Sequence, residues 1–407
     1  MDRFFHRWTW GVRAVTIAAA LGSLFDLGCT LSAADSPPPA TTVALEYTEL
    51  NYAPAFWGVP VTERGTPFQK EPPAASGKTM RGVFNFGGNA SNSIPFLWQI
   101  DAGKLFLDLN HNEDLTDDPA GALSATSPLR FGSQTFRSVH LTFATKCDQW
   151  TGPCAVLADI NLWGYAQQLG CNVGFRSLWA GQLALQGKDW QAGIVPSAPS
   201  PDNRFGGRSL LLRPWENRKL PFSLNDGSLD ALPFSPNLFL DGGAYAVALV
   251  DNAAKGPLQP SLRFAPQSVP LGELRITGKF IQRLLLPGGQ TLVVLNQPAE
   301  TVKVPVGRYR PPEVQLGPNS SLAVRNPNFL ETETGTEVTA SSPSVIVDGG
   351  PLTNRVIVNR EGRDLRFDYR LIGAREQPYR LVGLVQQPEW SVFRGETKIA
   401  SGKFEFG

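Results

Sequence analysis

Val139-His140-Leu141-Thr142-Phe143 sets an apolar side chain at every odd position and a polar one at every even position. Strand side chains alternate between two faces, so a period of two puts one face on a core and the other in water. Leu365-Arg366-Phe367-Asp368-Tyr369-Arg370-Leu371 repeats the pattern. Ala244-Tyr245-Ala246-Val247-Ala248-Leu249-Val250 and Thr291-Leu292-Val293-Val294-Leu295 are apolar on both faces, as central strands are. Turn residues separate such runs. Pro287-Gly288-Gly289 stands between Arg283–Leu286 and Thr291–Leu295, and Gln186-Gly187-Lys188 between Gly181–Leu185 and Trp190–Val195, both reading as hairpins. Helical periodicity is confined to Trp163–Leu169. The expected fold class is all-β: multi-domain antiparallel sandwiches.

Composition agrees. The chain has 407 residues, 42% of them hydrophobic, with 40 Gly and 34 Pro spread along its length at turn positions. At roughly 150 residues per domain that length suggests two or three domains. A net charge of +1 without a basic block gives no footprint for a polyphosphate, so no nucleic-acid partner is expected.

The first residues read as an export signal. Arg3, Arg7 and Arg13 precede the apolar segment Ala14–Phe25, which runs into Ser32, Ala33 and Ala34. That segment is shorter than the roughly 20 residues a spanning helix needs, and Asp26 interrupts it. Cleavage after Ala34 makes 1–34 a signal peptide and 35–42 a Pro-rich linker. Leu27-Gly28-Cys29 resembles the end of a bacterial lipobox, which implies instead a lipid anchor at Cys29 as the protein's hold on the membrane. Either way the chain is expected outside the cytoplasm, periplasmic or extracellular. There Cys147, Cys154 and Cys171 would make one bridge and one leftover thiol. The turn-like Asp148–Pro153 between two strands favours Cys147 with Cys154, the alternative being three reduced, buried thiols.

From Val43 to Phe264 strands are joined by long polar loops, such as Pro196–Pro201, giving a β-rich region over 43–264. Residues 265–317 read as a connecting sandwich segment. A split near Gly317 leaves 318–407 as a final sandwich of about seven strands. Val304-Pro305-Val306-Gly307-Arg308-Tyr309 is similar to the Pro-x-Gly-x-Tyr turn of immunoglobulin-like and prealbumin-like accessory domains, and the resemblance implies an immunoglobulin-like C-terminal unit.

One stretch carries chemistry: Asp108-Leu109-Asn110-His111-Asn112-Glu113-Asp114-Leu115-Thr116-Asp117-Asp118, after the apolar Lys104–Leu107. Oxygen-bearing side chains at alternate positions can curl around one hard cation. The stretch resembles the calcium loops of EF-hands and dockerins. Asp108, Asn110 and Asn112 match the first, third and fifth ligand positions, Asp114 the seventh through its carbonyl, and Leu115 the apolar eighth. Glu113 replaces the glycine of the sharp turn, and Pro119 stands where the bidentate acid belongs, leaving Asp117 or Asp118 to supply it. The resemblance implies a structural calcium held by Asp108, Asn110, Asn112, Asp114 and Asp118. The bland reading is an Asx-rich hairpin tip. Against it, Asp108, Glu113, Asp114, Asp117 and Asp118 repel one another unless a cation or a nearby Arg intervenes.

Other signals fail. His111 and His140 are isolated, too few for zinc, and read as surface residues. Gly-x-Ser-x-Gly and Ser-x-x-Lys do not occur, and Gly77-Lys78-Thr79 has Pro72 where a phosphate loop needs its first glycine. Trp98 and Trp190 belong in strands and the core, while Trp150 and Trp215 lie in loops and are candidates for an exposed stacking platform. The expectation is an exported, non-enzymatic binding or structural protein of the cell envelope, with a glycan or protein ligand and a structural calcium. The alternative is a secreted hydrolase acting on polysaccharide or peptide through loop carboxylates.

Overall fold

A computed structural model of the chain divides it into two units, 1–37 and 38–407. The structure describes residues 39–404 apart from 88–91, 148–149, 166–167, 197–207, 223, 225–228, 252–259, 318–321, 326–334 and 383–387. The signal-like segment 1–34, its Cys29, and residues 35–38 of the linker lie outside the described residues, whereas the linker's last two residues, Thr41 and Thr42, are strand.

The regular structure of the described chain is almost all strand, with short 3-10 turns at Pro119–Gly121 and Trp215–Lys219. Its largest sheet has eleven strands. In chain order they are β1 (Thr41–Ala44), β16 (Asn237–Leu240), β17 (Gly243–Asp251), β18 (Pro260–Gln267), β20 (Ile281–Pro287), β21 (Thr291–Asn296), β24 (Glu313–Leu316), β25 (Leu322–Arg325), β28 (Thr353–Glu361), β29 (Asp364–Ile372) and β30 (Pro378–Val382). Across the sheet they lie in the order β1-β18-β17-β16-β21-β20-β24-β25-β30-β29-β28.

Three smaller sheets hold the N-terminal half. One joins β4 (Val61–Glu63), β5 (Thr79–Asn85), β6 (Ser93–Gln99), β7 (Lys104–Leu107) and β8 (Ala122–Ser124). A second joins β3 (Trp57–Val59), β9 (Ser133–Cys147), β10 (Trp150–Tyr165) and β11 (Gln168–Phe175). The third joins β2 (Glu46–Glu49), β12 (Ser177–Leu185), β13 (Lys188–Pro196), β14 (Arg208–Pro214) and β15 (Ala231–Pro233). Later in the chain, β19 (Leu271–Thr277), β22 (Thr301–Pro305) and β27 (Ser344–Val347) form a three-stranded sheet. Two pairs complete the set: β23 (Gly307–Tyr309) with β26 (Thr336–Val338), and β31 (Glu389–Arg394) with β32 (Thr397–Lys403).

The two-faced apolar runs explain the layering. On β21, Leu292 and Val294 enter one hydrophobic core while Val293 and Leu295 enter another. Leu238 and Leu240 against Phe239 on β16, and Leu285 against Leu284 and Leu286 on β20, divide the same way. The long sheet is therefore a middle layer. The larger core lies between it and the N-terminal sheets and takes Trp98 and Trp190. The smaller core takes Leu274 and Ile276 of β19, Val304 of β22, Tyr309 of β23 and Val338 of β26.

Several expectations meet their physical reason here. On β9, Val139, Leu141 and Phe143 are buried and His140 is exposed, as the alternation requires. The Gln186-Gly187 turn takes positive φ at both residues, 53° and 71°, matching the twist of its flanking strands. The described residues of Trp163–Leu169 are strand and not helix: β10 runs to Tyr165 and pairs with β11 from Gln168 onward. A short apolar run with one Gly and one Tyr suits either structure, and the cross-strand partner decides. The split expected near Gly317 is bridged, since Gln315 and Leu316 of β24 pair with Val324 and Ala323 of β25. Antiparallel pairing dominates, but β16 with β21 and β19 with β27 are parallel.

Candidate functional site

The loop 108–118 leaves β7 and closes on itself. Asp108, 1% exposed, accepts hydrogen bonds from the backbone N–H of Asn112 at Oδ1, 3.2 Å, and of Glu113 at Oδ2, 3.1 Å. Asn110 Oδ1 accepts from Asn112 N, Asn112 Oδ1 from Asp114 N, and Asp118 Oδ2 from Leu109 N. The two Asn amides converge on Asp117, donating from Nδ2 at 3.2 and 2.7 Å. Leu115 turns inward. It packs with Phe68 and Leu97 in a small core on the outer face of the five-stranded β4–β8 sheet.

Two features match the path of a calcium loop. Glu113 adopts φ 64° where such loops place glycine, so the sharp turn is made at the cost of a left-handed non-glycine residue. The side chain of the first position, Asp108, accepts from that same residue. The charges have local partners too. Arg64 pairs with Glu113 at 3.1 Å and Lys70 with Asp114 at 2.9 Å, while Lys70 and Asp114 also form a parallel β-bridge. The Thr116 hydroxyl first, and Lys70 second, hold the Asp114 carboxyl down at about 2. That contribution is present above the ordinary carboxylate pKa and fades as pH falls toward 2.

For a cation the fit is therefore mixed. Asp108, Asn110, Asn112, Asp114 and Asp118 share one loop, but the Asn amides present nitrogen to Asp117 and oxygen to the backbone. A calcium ion would need both amides turned over. Among the described residues no three of His, Cys, Asp and Glu converge as a metal-holding group.

The expected disulfide falls on β9 and β10. Their register sets Cys147 opposite Trp150 and Cys154 opposite Phe143, four residues apart along the hairpin, about 13 Å by strand rise. A bridge would require a slipped hairpin. The cysteine side chains themselves lie outside the described residues. Cys171 is a free thiol, buried in the larger core, where desolvation pushes its pKa far up. It packs as a small apolar residue.

Two carboxylates are shifted by their surroundings in opposite directions. Glu71 is held below its ordinary range by the Arg81 guanidinium, which grips it through two bonds of 2.6 Å. Glu313 is pushed up by burial, eased by Arg310. Of the two tryptophans expected in loops, Trp215 opens a 3-10 turn and is half-buried with the Arg218 guanidinium 4.7 Å over its ring, while Trp150 is not in a loop but begins β10, paired with Cys147, its side chain lying outside the described residues.

Two surfaces remain. A cleft of about 760 Å³ lies between the β20–β21 turn and the β23–β26 pair, lined by Gly288, Gly289, Arg308, Arg310 and Glu337 beside Tyr309. Burial pushes the Tyr309 hydroxyl up to about 12, and it donates to the Pro305 carbonyl at 2.7 Å, so it stays protonated near neutral pH. The second surface is at the C-terminal end of the long sheet. Val356, Val358 and Arg360 of β28 lie opposite Tyr369, Phe367 and Leu365 of β29, so Val356, Val358, Leu365, Phe367 and Tyr369 share one face. Trp390 stacks on Phe367 at 5.0 Å and Phe404 meets Tyr369 at 5.1 Å, which lays the C-terminal hairpin over the β29 side. Val356 and Val358 of β28 are 44% and 53% exposed, and Leu365 near the start of β29 is 50% exposed. The alternation expected of Leu365–Leu371 is present, but its apolar face is only partly covered. No sequence signal marks this, because coverage depends on which strands reach that far.

No family model, no curated protein and no solved structure matches this chain.

Proposed function

We propose that this chain is an exported, non-enzymatic binding or structural protein of the cell envelope, and that its C-terminal sheet face makes the contact. The observation that carries the reading is the half-covered apolar face of β28 and β29, with Val356, Val358 and Leu365 about half exposed beside a stacked Phe367–Trp390 pair. Contiguous apolar surface on a folded chain marks a place of association, and stacked aromatic rings suit either a protein strand or a sugar face. Export rests on the Arg3–Ala34 leader pattern, and a lipid anchor at Cys29 remains compatible with it. The purified protein, assayed on glycan and peptide panels with and without chelator, is expected to retain a ligand without turning it over. Turnover abolished by Asp117→Asn or Glu71→Gln would replace this reading with the secreted hydrolase.

A structural calcium in the 108–118 loop belongs to the same proposal. It would be held by Asp108, Asn110, Asn112, Asp114 and Asp118, and the left-handed Glu113 and its bond to Asp108 support it. The ion would neutralise the loop's acids and brace Leu115 against Leu97. With an affinity on the order of 10⁻⁴ to 10⁻³ M, 10 mM calcium should raise the melting temperature of chelator-treated protein by about 2–6 °C. Asp108→Ala should melt lower and lose the calcium response. An identical melt in calcium and in chelator would remove the ion and leave the hydrogen-bonded loop.

A further inference from the structure

The long sheet ends at β28, which pairs with β29 alone among the described strands and presents its other edge to solvent. It is nine residues long, in unbroken register from Thr353 to Glu361, with no proline and no bulge. Open edges of that length are templates for another strand, and folded proteins ordinarily blunt them. We propose that this edge pairs with the same strand of a second copy of the chain, about a two-fold axis at Ile357. The inference rests on the reading of the C-terminal face as a contact surface.

The sequence Thr353-Asn354-Arg355-Val356-Ile357-Val358-Asn359-Arg360-Glu361 is nearly palindromic in chemistry. Antiparallel pairing centred on Ile357 sets Val356 opposite Val358, Arg355 opposite Asn359, Asn354 opposite Arg360 and Thr353 opposite Glu361, each across the axis. No charge meets a like charge. Arg355, which holds Glu376 of its own copy at 2.8 Å through one Nη, also stands diagonal to Glu361 of the other copy on the same face, and diagonal neighbours at 7–8 Å are within reach of long side chains. This register uses all nine residues. A two-fold axis normal to the sheet also keeps the apolar faces on one side, so the exposed Val356 and Val358 of the two copies join into a single stripe.

The test uses the full mature chain. Sedimentation velocity across micromolar concentrations should show a monomer–dimer equilibrium, and Val358→Lys should shift it at least tenfold toward monomer without lowering the melting temperature. Under mild oxidation Ile357→Cys should give a disulfide-linked dimer, because the two Cβ atoms face each other across the axis. Thr353→Cys should not, being eight residues from its own mate. A monomer at every concentration, with Ile357→Cys uncrosslinked, overturns the pairing. Equal crosslinking from Thr353→Cys overturns the register. If the monomer still retains a glycan or another protein through Val358, the contact face stands and the second copy falls.

Discussion

Asp230→Ala is expected to destabilise the fold by about 3–5 kcal/mol, a large effect for one carboxylate that is itself 26% exposed. Arg283 on β20 and Arg213 on β14 are 4% and 2% exposed, and Asp230 lies between them, 3.2 Å from one guanidinium and 3.9 Å from the other. Arg283 also donates to the Leu212 carbonyl at 2.7 Å, tying the long sheet to the five-stranded β14 sheet, while its Nε finds no partner among the described residues. Desolvation drags both guanidinium groups below their ordinary pKa, opposed by Asp230. They remain charged all the same, as Arg does in proteins. Removing the carboxylate leaves two buried cations facing each other with one fewer compensating charge. Denaturant unfolding of Asp230→Ala measures the loss. Arg275→Ala, which breaks the exposed Arg275–Glu273 pair, is the control and should cost less than about 1 kcal/mol.

Trp98→Ala is expected to cost about 3–5 kcal/mol from the cavity alone. Trp98 is fully buried on β6 in the larger core, and its Nε1–H donates to Gln134 Oε1 at 2.7 Å. Gln134 in turn donates to the Ile100 carbonyl at 3.1 Å, so the indole anchors a polar link between β6 and β9 inside an apolar core. Truncation strips Gln134 of its donor as well as opening space, adding about 1–3 kcal/mol if no water replaces it. Trp98→Phe keeps much of the volume and isolates the hydrogen-bond part. Near-equal melts for the Ala and Phe variants would show that the cavity term does not govern.

What was legible in the sequence is what alternation can carry. Val139 to Phe143 declared its buried face, and Thr291 to Leu295 declared two, which is why that strand could be read as central before its neighbours were known. The turns at Gly187 and Gly288 followed from residue type. Partner choice was not legible: nothing local says that β16 runs parallel to β21, or that β24 continues into β25 past Gly317. The Asp230 link joins side chains 17 and 53 positions from it, each ordinary in its own strand. Loop 108–118 announced its oxygens but not the cations that meet them, because Arg64 and Lys70 come from a segment that packs beside it only in three dimensions.

A photo-crosslinking residue placed at Val358 in the full chain, in cells that produce it, addresses the contact face directly. Expected is an adduct from position 358 and none from position 366, an exposed residue of β29 on the opposite face of the sheet and one strand in from the open edge. No adduct at 358, or equal capture from 358 and 366, would contradict a role for that face.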